Sequence, residues 1–258
     1  MADQGAATAP ASSGNVVKKF FKDRKFGTAV FLVYMIAIWV LAGIIQVDTS
    51  APWISYLMIV SRVPMGMIGI FTTIFCHADF EHVAVNSLGL IVLSFLLLYV
   101  FRGWKEWAMT TAWVVLASGF FVWVIGRASD SNGLPVGHCG ASGMIFGHFA
   151  YLLVLPLFER PFRWQSLLIA VLTGALYGGL VFGIFSSEES VSWESHLSGA
   201  VAGLLWAFIY HFVGPRVCKR CCGKKYELQV DDGTPMSTVD EELAVGEQEK
   251  KDVALEQA

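Results

Sequence analysis

Residues 137–154, GHCGASGMIFGHFAYLLV, place a serine between glycines at the start of a long uncharged run. The segment Gly140-Ala141-Ser142-Gly143 is typical of a serine whose small neighbours leave its hydroxyl accessible. Between Gly143 and Phe158 the chain carries no Asp, Glu, Lys or Arg, which is typical of a helix surrounded by lipid or by other helices. The stretch therefore predicts a reactive serine at the mouth of a membrane helix.

Composition supports a membrane protein. Hydrophobic residues make up 55% of the 258-residue chain and charged residues 15%, whereas soluble domains carry about 25% charged residues. A run of about 20 apolar residues crosses the hydrocarbon core. Six runs approach that length, at residues 27–47, 82–101, 107–125, 142–158, 165–185 and 196–213. A further apolar region, 53–76, is interrupted by Arg62 and Pro64, so we expect an interfacial or re-entrant first outer loop.

The basic residues predict the orientation. Lys and Arg accumulate on the cytosolic side of membrane proteins. With both termini cytosolic, every basic residue that flanks a span lies inside, except Arg62 and Arg127. We therefore expect an all-α protein with a flexible tail at 1–26, a six-transmembrane-helix bundle at 27–213, and a basic then acidic tail at 214–258. The net charge of −3 implies no nucleic-acid partner.

In this orientation spans two, four and six begin at the same face, and they begin with His82, Ser142 and His196. A serine nucleophile needs a base within hydrogen-bond reach, and ionisable groups inside membranes are functional candidates. His148 lies six residues after Ser142, off its helix face, and His211 lies roughly 22 Å deeper than His196 at 1.5 Å per residue. The candidates that remain are His77, His82, His138 and His196.

Further polar residues surround these candidates. His82 and Asn86 are four residues apart, so both side chains point one way from one helix and suit oxyanion binding. Glu194 lies two positions before His196, where helix neighbours do not face each other, and we expect a solvated loop charge. We expect His138 to be a loop residue near the site and His77 to be structural. The small-residue pairs predict tight helix packing; they are Gly174/Gly178, Gly179/Gly183 and Gly199/Gly203.

Three motifs carry a resemblance to a known family. GASG at 140–143, HVAVN at 82–86 and HLSG at 196–199 each open a span and resemble the rhomboid intramembrane serine proteases. The resemblance covers residues 27–213 and implies a rhomboid-like six-helix bundle. It implies that Ser142 is the nucleophile and His196 the general base and acid. It also implies an oxyanion hole formed by His82, Asn86 and the Ser142 backbone N–H.

The resemblance extends to supporting residues. It implies that Phe146 packs on the catalytic imidazole and that Gly140, Gly143 and Gly199 support the site. His77 resembles a histidine that many members carry upstream of the HxxxN pair. The chain departs from the family at the Trp-Arg pair that some members carry in the first outer loop, because Trp53 and Arg62 are not adjacent.

The function implied is intramembrane serine endopeptidase activity without metal or cofactor. The expected substrates are single-pass transmembrane proteins in the lipid bilayer, cut near the outer face at small residues and admitted past span five and residues 186–194. The six-span plan favours a prokaryotic plasma membrane with the active site facing outside. The alternative is a non-catalytic rhomboid-like protein that binds or escorts transmembrane clients. A channel or transporter fits less well, since the polar groups cluster at one face.

The five cysteines are irregularly spaced and predict no disulfide framework. Cys218, Cys221 and Cys222 follow the last span and are one ligand short of a closed zinc site. Reduced thiols in a reducing cytosol are the first expectation for these three, and acylation next to the membrane is the alternative.

Overall fold

The structure is a computed structural model that describes residues 13–101, 103–186 and 191–213. The chain divides into a unit of residues 23–216 and a second unit of residues 1–22 with 217–258, and the fold below is that of the first. The expectations for residues 1–12 of the N-terminal tail, for the C-terminal tail with Cys218, Cys221 and Cys222, and for residues 187–190 of the predicted entry loop fall outside the described residues. Residues 13–26 of the tail expected to be flexible are instead helical, as the first part of a helix that begins at Ser13 and ends at Val47.

The described chain is almost entirely helical. Two two-residue strands, β1 (Ile59–Val60) and β2 (Gly137–His138), pair antiparallel, with Ile59 opposite His138. The helices Phe80–Phe95 and Trp193–Phe208 continue as π-helical turns, Leu96–Phe101 and Ile209–Val213. The helices are α1 (Ser13–Val47), α2 (Gly69–Thr72), α3 (Phe80–Phe95), α4 (Trp104–Ile125), α5 (Ser142–Phe158), α6 (Trp164–Tyr177), α7 (Val181–Ile184) and α8 (Trp193–Phe208).

Five helical segments are long and apolar enough to cross a membrane: Arg24–Val47, Phe80–Tyr99, Trp104–Ile125, Trp164–Ile184 and Trp193–Val213. They correspond to the first, second, third, fifth and sixth predicted spans. The fourth, α5, is an apolar helix of 17 residues and falls below that length. The chain is therefore a multi-pass membrane protein by length and composition, while a sixth crossing and the cytosolic termini stay predictions.

Helix α5 lies at the centre of the bundle, which explains its uniform apolarity. Its residues from Gly143 to Leu152 are all buried, and it packs against α3, α4, α6 and α8. A helix that is apolar all round needs such an enclosed position. Helix α1 instead buries one stripe, formed by Phe31, Ile38, Ala42 and Ile45, and exposes apolar residues on its other side, such as Val33.

Glycines bring α5 and α8 into backbone contact. A Cβ atom added at Gly199 would lie 2.0 Å from the carbonyl oxygen of Gly143, and one added at Gly203 would lie 2.1 Å from that of Gly147. Each helix thus presents two glycines four residues apart to the other, the spacing that lets membrane helices approach closely. The backbone approach places the start of α5 beside the first turns of α8.

The tight packing expected along span five occurs at some of its glycines and not at others. A Cβ atom at Gly178 or Gly179 would meet no described atom within 4 Å, so that expectation is wrong for both. Gly183 is different, because a Cβ atom there would lie 3.1 Å from His196 Nδ1 and 3.1 Å from the Phe146 ring. Gly183 therefore leaves space for two residues of the predicted site.

Arg62 fastens the segment between α1 and α3 to the end of α4. Its φ of 61° lies in the left-handed region, uncommon for a residue other than glycine. The guanidinium donates to the carbonyl oxygens of Val124 and Gly126, each at 2.9 Å, and the Arg62 N–H donates to that of Trp123. Arg62 thus anchors this segment without an adjacent tryptophan, and Trp53 is exposed.

Candidate active site

Ser142 is the first residue of α5, and the segment before it needs a glycine. Gly140 has a φ of +115°, a conformation that residues with a side chain rarely adopt. The Gly140 N–H donates to the carbonyl oxygen of Thr73, and the Thr73 hydroxyl donates to that of His138. Together with the pairing of β1 and β2, these bonds fix the chain entering α5. They leave Ser142 partly exposed at its N-terminus.

His196 is held with one ring nitrogen occupied and the other available. Its Nδ1 lies 3.0 Å from the carbonyl oxygen of Gly183. Because a carbonyl oxygen only accepts, Nδ1 carries the hydrogen, and in the neutral ring Nε2 is the acceptor. The ring stacks on Phe146 with centroids 4.2 Å apart and planes 8° apart. Phe146 lies one turn after Ser142, so this stack keeps the imidazole beside the start of α5.

His82 and Asn86 lie against the segment that precedes Ser142. Asp79 caps α3 by accepting from the His82 N–H at 2.7 Å, which fixes the start of that helix. A Cβ atom at Gly140 would lie 2.8 Å from His82 Nε2 and 3.5 Å from Asn86 Nδ2. Asn86 Nδ2 is buried, and the described residues offer it no acceptor. The site therefore contains a buried donor free to bind an oxygen that develops negative charge.

His77 lies behind His82. The two rings meet edge to face with centroids 5.1 Å apart, and His77 is fully buried. Burial, followed by the charge of His82, lowers the pKa of His77 to about 4. His77 is therefore neutral at physiological pH and supports the His82 ring, which agrees with its expected structural role.

The expectation for Glu194 is wrong, because the side chain is buried. Its Oε1 accepts from the Arg127 backbone N–H at 3.1 Å and lies 3.6 Å from the Arg127 Nε. His138, expected near the site, bridges the same region through bonds to Ser192 and to the Arg127 carbonyl oxygen. The sequence interpretation missed Ser192 and the ion pair. One signal in the sequence could have indicated the ion pair. Arg127 falls on the outer side in the predicted orientation, where basic residues are rare, so it needs an acidic partner.

Cys76 and Cys139 also meet in this part of the molecule. Cys139, next to Gly140, packs against the small apolar cluster that contains Cys76, and both thiols are free. A hydrogen bond between the two thiols raises the pKa of Cys76 and lowers that of Cys139. The pair joins the start of the second long helix to the segment before Ser142.

The sequence as a whole matches one family. The family model for the Rhomboid domain matches residues 64–212, which is more than half of the chain. The chain belongs to the rhomboid family. This family includes intramembrane proteases and inactive rhomboid-like proteins, so membership alone does not assign an activity.

Curated relatives of the chain include uncharacterised bacterial proteins and one protein with a rhomboid name. An uncharacterised protein of Mycobacterium tuberculosis is 36% identical over 147 residues, 56% of this chain and 59% of the relative. One of Mycobacterium leprae is 37% identical over 136 residues, 52% of each chain. Rhomboid-related protein 1 of Caenorhabditis elegans is 28% identical over 151 residues, 56% of this chain and 41% of the relative. The match thus spans less than two thirds of each relative's length.

The two remaining histidines of this rhomboid domain have partners away from Ser142. His148 Nε2 lies 3.0 Å from the Thr111 hydroxyl. His211 Nε2 lies 2.8 Å from the Tyr151 hydroxyl, which donates to Glu106. In the described ranges no cluster of three or more His, Cys, Asp or Glu has a geometry fit for a metal ion.

Proposed function

We propose that this rhomboid is an intramembrane serine endopeptidase that cleaves single-pass transmembrane proteins. The observation that carries the proposal is the state of His196: Nδ1 donates to a backbone carbonyl, Phe146 holds the ring, and Nε2 is left as an acceptor beside the start of α5. A serine becomes an effective nucleophile when such a base is oriented by a third group.

The mechanism proposed is acyl transfer through a Ser-His dyad. Ser142 Oγ attacks the scissile carbonyl carbon while His196 Nε2 takes the hydroxyl proton. The carbonyl oxygen becomes an oxyanion that accepts from His82, Asn86 and the Ser142 backbone N–H. His196 then gives the proton to the leaving amine as the peptide bond breaks. Water, deprotonated by the same histidine, hydrolyses the acyl-enzyme and regenerates Ser142.

The proposed substrates follow from the location of the site. A serine at the end of a membrane helix meets peptide bonds near one face of the bilayer, and the proposed face is the outer one of a prokaryotic plasma membrane. Scission requires an extended substrate backbone, so residues that weaken a helix near the cut favour cleavage. We propose that the substrate enters the site past α6 and α7. We also propose that the residue at the cleaved bond carries a small side chain.

The test is cleavage of a panel of single-pass transmembrane proteins by the purified full chain in liposomes. The wild-type protein is expected to yield products cut near one membrane face, and Ser142→Ala is expected to yield none while it still folds. A non-catalytic escort would bind clients equally well in both forms and leave them intact. Binding without cleavage by the wild type would therefore overturn the proposal in favour of the escort.

Asn86→Ala is expected to lower kcat by on the order of 10²–10³, the usual cost of removing one oxyanion donor. Turnover should remain measurable, because His82 and the Ser142 N–H still face the oxyanion. Asn86 does not titrate, so the pH midpoint of activity set by His196 should barely move. Steady-state kinetics with a transmembrane substrate measures both. Wild-type turnover in Asn86→Ala would contradict the role of Asn86. A loss of turnover fully explained by a matching fall in the variant's thermal stability would contradict it too.

A further inference from the structure

A buried polar cluster outside the proposed dyad joins the segment before Ser142 to the helix of His196. It consists of His138 on β2, Arg127 after α4, and Ser192 and Glu194 at the start of α8. His138 and Glu194 are each 1% exposed. Burying such groups is costly unless they are paired, so their mutual bonds keep them in place, and the dyad mechanism uses none of them.

The hydrogen bonds of His138 define its tautomer. Nε2 lies 3.1 Å from the Arg127 carbonyl oxygen, which only accepts, so Nε2 carries the hydrogen. Nδ1 lies 2.7 Å from the Ser192 Oγ and, in the neutral ring, accepts from that hydroxyl. The Ser192 Oγ in turn accepts from the Ser195 hydroxyl at 2.7 Å. A continuous chain of bonds therefore runs from the end of α4 through β2 to α8.

Arg127 and Glu194 reinforce the same junction. The Arg127 side chain donates to the Val191 carbonyl oxygen at 2.8 Å and lies 3.6 Å from the Glu194 carboxylate. Glu194 is in the first turn of α8, where the helix dipole favours negative charge. Ser192 is the N-cap of α8 and accepts from the Ser195 N–H. The N-terminus of α8 is thus fastened to the end of α4 at several points.

We propose that His138, Ser192 and the Arg127–Glu194 pair are positioning residues that set the placement of Ser142 relative to His196. His138 lies four residues before Ser142, and Ser192 lies four residues before His196. A bond between these two side chains therefore ties together the segments that deliver nucleophile and base. The glycine contacts of α5 and α8 fix the helices within the bundle, and this cluster fixes their ends. The inference rests on the proposed protease function.

The burial of His138 favours an intact bond network at neutral pH. Burial is the largest effect and lowers the pKa of His138. The bond to the Arg127 carbonyl and the charge of Glu194 raise this pKa, whereas the charges of Arg127 and Arg62 lower it further. The neutral ring, with Nδ1 as acceptor, is therefore present near pH 7. It is lost as the pH falls through that lowered pKa, because a protonated Nδ1 no longer accepts from Ser192.

The experiment separates the bond between Ser192 and His138 from the capping of α8 by Ser192. Ser192→Ala removes the bond and the cap, whereas Ser192→Thr keeps a hydroxyl that caps α8 and donates to His138. His138→Gln places an amide N–H near the position of Nε2, so it keeps the Arg127 bond and loses the Ser192 bond. Since misplacement by about 1 Å can cost about 10²-fold, we expect Ser192→Ala and His138→Gln each to lower kcat about 10- to 100-fold. We expect KM to change little and Ser192→Thr to restore kcat.

The double variant His138→Gln/Ser192→Ala gives the sharpest result. If both changes break one shared bond, the double variant loses no more kcat than the worse single variant. A double loss equal to the product of the two single losses would overturn the proposal, as would wild-type kcat in either single variant. Asn132→Ala, in the exposed part of the same connection between α4 and α5, is the matched control and should keep wild-type kcat.

Two further readouts keep the proposal testable if a variant folds poorly. Imidazole ¹⁵N NMR of the wild-type chain at pH 7 should show His138 as the neutral Nε2–H tautomer, and a protonated or Nδ1–H ring would overturn the inference. The rate at which a fluorophosphonate labels Ser142 should fall in Ser192→Ala and return in Ser192→Thr, even if no transmembrane substrate is cleaved. Failure of wild-type cleavage alone therefore overturns the proposed substrate class and not the positioning role.

Discussion

His196→Ala is expected to abolish cleavage of a transmembrane substrate, with a loss in kcat on the order of 10⁴-fold or more, as in other serine hydrolases that lose their base. Without the imidazole Ser142 loses its proposed base, since His82 is assigned to the oxyanion and His148 and His211 bond elsewhere. Steady-state kinetics in liposomes measures the loss. Residual activity would come from the oxyanion donors alone.

The control for this prediction is a histidine of the same helical segment. His211→Gln keeps an amide that can bond the Tyr151 hydroxyl, and it should retain cleavage within a few-fold of wild type. Thermal unfolding of both variants distinguishes loss of chemistry from loss of fold. Near wild-type turnover in His196→Ala, with the protein still folded, would contradict the assigned base.

Gly199→Ala should cost both stability and activity. The added Cβ would lie 2.0 Å from the Gly143 carbonyl oxygen, and real Cβ atoms essentially never approach another atom within 3.0 Å. Helices α5 and α8 must therefore separate by at least about 1 Å, a displacement that can cost about 10²-fold in rate. Overpacking of this kind also costs about 1–3 kcal/mol of stability.

Gly43→Ala is the matched control, since a Cβ at Gly43 on α1 meets nothing within 4 Å among the described atoms. It should leave activity and thermal stability close to wild type. Activity assays and thermal unfolding in the same detergent compare the two variants. If Gly199→Ala behaves like Gly43→Ala, the contact between α5 and α8 does not set the geometry of the site.

Much of the site was predictable because it depends on local sequence. The small residues around Ser142, the four-residue spacing of His82 and Asn86, and the position of His196 at the start of an apolar run are visible in the sequence alone. In the structure, Phe146 does stack on His196 and Gly140 does lie against His82 and Asn86. Most helix boundaries were also close, because long apolar runs dominate them. The exception is α1, which begins at Ser13 and not at residue 27.

The features that were missed depend on contacts between segments distant in sequence. Glu194 has the sequence context of a solvated loop charge, and only the meeting of α4 and α8 gives it Arg127 as a partner. Gly178 and Gly179 have helix-packing spacing, yet the face they occupy meets no neighbour among the described atoms. The central place of α5 explains how the shortest predicted span can be buried on all sides: α5 is enclosed by helices.

The central claim is that Ser142 is a nucleophile activated by His196. The most direct measurement is the site and rate of covalent labelling by a fluorophosphonate, read by mass spectrometry on the full chain in liposomes. The wild type should carry the phosphonyl group on Ser142, and His196→Ala should label far more slowly. No label on Ser142, or labelling at the wild-type rate without His196, would contradict the claim.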